Sequence, residues 1–167
     1  MQDNLKNKPW YDYLEEDLVE LLEESFELLA VVPLWKDTFH DYSFIVFPAA
    51  KAYEGFLKKL FLDLNFITSE DYYGKHFRIG MALNPSLEER FRSESVYDKL
   101  TAMFNGDKTL SANLWEAWKN CRNLLFHWFP DEKRAIDFNE AKKRVEMIIG
   151  AVDEAYDKCK MKLNEGK

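Results

Sequence analysis

An all-α bundle is the fold class this sequence predicts, and three observations predict it. Apolar residues recur at steps of three and four over long segments, the spacing that gives a helix one buried face. Gly and Pro are few, 6 and 5 among 167 residues, while the strong helix formers Leu, Glu and Lys are common. With 47% hydrophobic and 16% aromatic residues the chain can fill one dense core, and its length suits one domain better than two. The expectation is a single domain over 1–167, ordered from about residue 10 to about 163, with four main helices and short extra ones.

The first helix is expected over 10–32, "WYDYLEEDLVELLEESFELLAVV", apolar on one side and acidic on the other, with Pro33 ending it. The second is expected from Tyr42 or Ser43 to Leu64. It is apolar on nearly every side, which predicts a central position, and Pro48 marks either its first turn or a kink. "NFITSEDYYGKHFRIGMALNPS" mixes Gly, Asn, Ser and aromatics without a period and predicts an irregular connection with room for one helical turn. A shorter helix follows over 87–104, with a break near Ser93 to Ser95. "NGDKT" is a turn, and Thr109 or Ser111 can cap the next helix. That helix, "LSANLWEAWKNCRNLLFHW", should stop before Pro130, because the residue preceding proline avoids the helical region. Asp137, with Glu140 three residues later, resembles a capping box and opens a last helix to Leu163.

Charge and composition exclude several classes. A net charge of −7 argues against nonspecific coating of nucleic acid, yet leaves room for a small basic pocket that holds one or two phosphates. The first residues carry no apolar leader, and the longest apolar run, "FIVFPAA", is too short to span a bilayer, so a cytoplasmic protein without membrane contact is expected. Cys121 and Cys159 have no CxxC or Cys/His spacing and read as reduced, packed thiols. His40 and His76 belong to no metal-binding pattern, and the acidic stretch "EEDLVELLEE" reads as the solvated face of a helix. No metal and no cofactor are therefore expected. Trp115 and Trp118 read as core or dimer packing.

The stretch "CRNLLFHWFP" places Arg122 and His127 in the most aromatic part of the chain. On a regular helix five residues turn through roughly 500°, which leaves the two side chains about 140° apart. Asn123 and His127, at i and i+4, share a face instead, and Asn123 is a supporting, RNA-facing candidate. Exposed carbonyls in a last helical turn would favour a protonated imidazole at His127, and imidazole suits a group that gives or takes a proton near neutral pH. Arginine adds a permanent charge with a fork matched to phosphate oxygens. The pair suits cleavage of a phosphodiester without metal. The alternative is an ordinary core helix with two polar residues at its rim. A second candidate pair is Lys51 and Glu54 in "PAAKAYEGFLKKLF", at i and i+3 among Phe56, Leu57 and Leu60, where a partly buried setting is expected.

These two segments carry a resemblance. "RNLLFH" resembles the motif of HEPN domains, an arginine and a histidine separated by a short spacer, with a polar residue directly after the arginine. "PAAKAYEGFLKKLF" is similar to the other signature helix in the HEPN-like catalytic domain of RNase LS-type toxins of toxin–antitoxin systems, where a basic residue and a glutamate precede a glycine. The resemblance implies a HEPN-like helical bundle and a metal-independent endoribonuclease, a toxin or defence nuclease in which the RNA 2′-hydroxyl is the nucleophile. Arg122 and His127 would be the catalytic pair, with Lys51 and Glu54 completing the catalytic set in the same pocket. It further implies an RNA substrate, a homodimer with a composite active site, and an antitoxin protein as a partner. The chain departs from the family in carrying Lys51 where arginine is typical, and Phe129 where the toxins regulated by nucleotidyltransferases carry a tyrosine. A non-catalytic HEPN-like module that binds a partner protein or a nucleotide is the alternative.

Overall fold

The computed structural model describes residues 5–127, 130 and 134–165, and among them every regular element is helical. In chain order these are α1 (Glu16–Val31), α2 (Ser43–Asp63), the short α3 (Ser69–Tyr73) and α4 (Ile79–Ala82), α5 (Val96–Met103), α6 (Thr109–Trp118) and α7 (Phe138–Glu165). As its composition predicts, α2 is central: α1 and α7 both pack along it, and α6 packs on α5 and α7. Its buried residues, from Ile45 to Phe61, leave little of its circumference open. The apolar core is one cluster reaching from Leu5 to Cys159, so it starts earlier than residue 10. No described helix is long and apolar enough to cross a membrane.

The first helix begins six residues later than its periodicity predicts. Among the described residues the one helical element before it is a 3-10 turn, Tyr11–Tyr13, and Leu14 and Glu15 are extended. The cause is a distant contact. Trp10 is buried, its indole N–H donates to Asp153 Oδ1 at 2.6 Å, and Lys8 pairs with the same carboxylate at 2.7 Å. Tying the entering chain to α7 overrides a local preference that is worth only tenths of a kcal/mol per residue. At the other end, Pro33 sits in a 3-10 turn that closes α1.

Pro48 lies inside α2 and not in its first turn. Proline has no N–H to give and crowds the carbonyl four residues back, so the ladder must open beside it. Ser25 of α1 fills that opening. Its hydroxyl donates to the Ile45 carbonyl at 2.8 Å and accepts from the Ala49 N–H at 2.9 Å, two groups that pair with each other in an unbroken helix. Ser25 is fully buried, so neither group has water to fall back on. Ser25→Ala is therefore expected to lower the unfolding free energy by about 2 kcal/mol, the cost of stranding buried polar groups, measured by urea titration; a change below about 0.5 kcal/mol would show that α2 closes without the serine.

The remaining boundaries follow from local chemistry. Asn65, in the left-handed region, ends α2 in a Schellman motif, with Phe66 N–H on the Phe61 carbonyl and Asn65 N–H on the Leu62 carbonyl. Asn105 and Gly106 end α5 in the same way. The segment expected to be irregular holds two short helices, the first opened by a full capping box between Thr68 and Asp71. The break expected near Ser93 to Ser95 falls at Ser95, which caps α5 by accepting from Asp98 N–H. Before α6 the capping side chain is Asp107, whose Oδ1 accepts from Thr109 N–H at 2.9 Å. Thr109 is already helical and Ser111 is buried, donating to the Tyr97 carbonyl, so neither is the cap. Asp137 Oδ1 accepts from Glu140 N–H at 2.8 Å and opens α7 as expected.

Candidate functional site

The candidate residues meet where the C-terminal end of α6 faces α2. There α6 does not run on to His127. It widens into a π turn, Lys119–Asn123, in which Leu124 N–H bonds to the carbonyl of Lys119, five residues back, at 2.8 Å. The turn holds one residue more than an α turn, and such turns cluster at functional sites. Inside it, Cys121 points into the core, where burial pushes its thiol up to about 12. Cys159 is likewise buried and free.

After the π turn the chain leaves the helix, passing through a turn at 124–125 and a bend at Phe126, and His127 is in no helix. Three expectations change accordingly. The 140° separation computed for a regular helix does not apply to Arg122 and His127. Asn123 and His127 do not share a helical face. The argument that last-turn carbonyls favour a protonated His127 loses its basis. The expected end of this helix at Trp128, and Phe129 beyond it, lie outside the described residues.

Arg122 faces α2. Its Nη2 lies 3.6 Å from Glu54 Oε2, and its guanidinium sits 5.3 Å from the centre of the Trp118 ring. Phe47, Ala50, Lys51 and Glu54 of α2 and Arg122 and Phe126 of the motif segment together line a cleft of about 290 Å³. Thus Lys51, Glu54 and Arg122 share one cleft. Lys51 is exposed and not partly buried as expected; its Nζ hangs 5.9 Å from the Phe47 ring. Glu54 is half-buried and pairs across the cleft with Arg122. His127 is exposed, one residue beyond Phe126, and neither it nor the half-buried Asn123 is among the lining residues.

Two aromatic members of this site escape a reading of the sequence. Phe47 and Phe126 meet edge to face with centroids 5.3 Å apart, yet Phe47 is 50% exposed. In a helix apolar on almost every side, nothing in composition separates Phe47 from its buried neighbours. Trp118 is buried within the single chain, where it backs Arg122 and packs against Gly80, so of the two expected roles it takes the core one.

The α1–α2 contact fixes the height of Glu54. At Gly55 a Cβ would lie 2.5 Å from Leu18 Cδ2, so a larger residue beside the site would require the Leu18 side chain to move. Chemically, the cleft offers two cations, one carboxylate that orients the arginine, and aromatic walls. Such walls lower the local dielectric, so an anion is held more strongly there than on open surface. Among the described residues no group of three His, Cys, Asp or Glu could hold a metal ion, and His40 and His76 are exposed. No protein-family model matches the chain, and no curated protein and no solved structure is similar to it.

Proposed function

We propose that this chain is a metal-independent endoribonuclease of the HEPN type, a toxin or defence nuclease acting in the cytoplasm. The observation that carries the reading is the meeting of Lys51, Glu54 and Arg122, from segments far apart in sequence, in one cleft also lined by Phe126, the residue before His127. Arg122 and Lys51 hold the non-bridging oxygens of the scissile phosphate. The ribose 2′-oxygen attacks phosphorus as its proton passes to a base; the bond from phosphorus to the 5′-oxygen breaks, and that oxygen takes up a proton. The products are a 2′,3′-cyclic phosphate and a 5′-hydroxyl. His127 moves one of these protons, and the two cations stabilise the charge that builds on the phosphoryl oxygens. Glu54 positions Arg122.

His127 is exposed and does not line the cleft itself, and on this reading a second copy of the chain completes the site, bringing its own motif opposite the first and supplying further charge at the phosphate. An antitoxin protein would act on this domain by covering the same cleft. The net charge of −7 favours the competing reading, a non-catalytic helical module for a partner protein or a nucleotide, since RNA approaches against a net repulsion. RNA digestion in excess EDTA with analysis of the ends separates the two. The nuclease yields cyclic-phosphate ends that vanish in Arg122→Ala and in His127→Ala. Intact RNA with the wild-type chain, or equal cleavage by both variants, defeats the proposal.

A further inference from the structure

We infer that a second cleft, between the π turn and the start of α7, is a phosphate-binding subsite for the backbone of the same RNA strand, away from the cleaved bond. The inference rests on the ribonuclease reading for its ligand, but on separate residues. This cleft, of about 350 Å³, is lined by Arg134 and Arg144, with Asn120, Leu124, Leu125 and Ile136 around them. In a chain of net charge −7, its described lining includes two guanidinium groups and no carboxylate.

Arg144 is oriented but incompletely used. Its Nη2 is held by Glu140 Oε1 at 2.7 Å, while its Nε is buried and meets no acceptor among the described residues. That N–H has no surface open to a ligand, so what Arg144 offers an anion is the charge of a side chain that lines the cleft. Glu140, which Lys143 also approaches at 3.9 Å, is not among the residues that line the cleft. Arg134 is anchored at the rim by donating from Nη1 to the Leu124 carbonyl at 3.3 Å. Planar guanidinium forks suit phosphate oxygens better than any other side chain.

The two clefts lie on either side of one short segment. Arg122 and Phe126 line the first; Asn120, Leu124 and Leu125 line the second. A strand with one phosphate in each cleft crosses the segment between them, the stretch that ends at the exposed His127.

The test measures binding of the full-length chain to a 2′-O-methyl oligonucleotide of about twelve nucleotides, which cannot be cleaved, over a salt series. Arg144→Gln and Arg134→Gln are each expected to weaken binding about tenfold and to flatten the plot of log K against log salt by about 0.7, the value of one phosphate contact on a single strand. Arg144→Lys, which keeps the charge, should keep the salt slope, whereas a variant that merely unfolds loses it whichever residue is introduced. Cleavage of a dinucleotide, too short to reach beyond the first cleft, should be unchanged in both glutamine variants. Wild-type affinity and slope in both glutamine variants would overturn the subsite, as would a parallel loss of dinucleotide cleavage. A wild-type chain that binds the strand with the full slope yet cleaves no RNA would refute the nuclease and leave the subsite standing. Cleavage that persists with unaltered binding in the variants would do the reverse.

Discussion

If the chain is the proposed ribonuclease, Arg122→Lys is expected to cut RNA about 10²- to 10³-fold more slowly than the wild-type chain, close to the loss in Arg122→Ala, because a positioned charge-stabilising donor contributes on that scale. Lysine keeps the charge but lacks the planar fork, and at this site the fork has two jobs. The Arg122 Nη2 lies 3.6 Å from Glu54 Oε2 while the guanidinium carbon lies 5.3 Å from the centre of the Trp118 ring, so two contacts bias the direction of the guanidinium. A lysine ammonium would answer to neither constraint and would be aimed less well at the phosphate. The same substitution should leave stability almost untouched. Both members of the Arg122–Glu54 pair are more than one third exposed, and ion pairs in such settings contribute less than about 1 kcal/mol. The informative comparison is therefore single-turnover cleavage against urea midpoint on the same preparations. A lysine variant within about threefold of wild type would mean that charge alone matters and that the orientation by Glu54 and Trp118 has no catalytic role.

The largest expected effect on stability is at Phe56. This side chain has no exposed surface, lies in the middle of α2, and meets Tyr13 edge to face at 6.2 Å. Phe56→Ala should cost about 3–5 kcal/mol, combining the lost burial with a cavity that a rigid helix junction cannot close. In a domain whose whole stability is of the order of 5–15 kcal/mol, that is a large share. With a urea dependence of about 1–3 kcal/mol per molar, the midpoint should fall by roughly 2 M. Phe56 is on the same helix as Lys51 and Glu54 but does not line their cleft. Cleavage per folded molecule should therefore survive wherever the variant remains folded. A loss below about 1 kcal/mol would mean that α2 is not the element on which the bundle is assembled.

How much of this was legible beforehand depended on whether the deciding interaction was local. α7 and α2 were placed almost to the residue, because a cap at Asp137 and a dense apolar run are local signals. The start of α1 was not, since it depends on Trp10 reaching Asp153 across the chain. The end of α6 was not legible either. A π turn adds a residue without any distinctive residue type, and "KNCRN" reads as readily in an α-helix. The same turn decides how the site was read. Lys51, Glu54 and Arg122 were expected in one pocket and share one. The resemblance implies His127 in that pocket as well, but the chain leaves the helix before reaching it and neither His127 nor Asn123 lines the cleft. Phe47 and Phe126 carry no distinguishing signal in the sequence, where an exposed aromatic and a buried one look alike.

The serine lodged beside Pro48 ties two distant positions into a single heritable unit. A lineage that loses the proline regains a backbone donor and can then let the serine drift, whereas one that keeps the proline is bound to a small hydroxyl at position 25. In any set of related chains the two sites should therefore change together, in that order, giving a record of descent written in the scaffold and independent of whatever the cleft does.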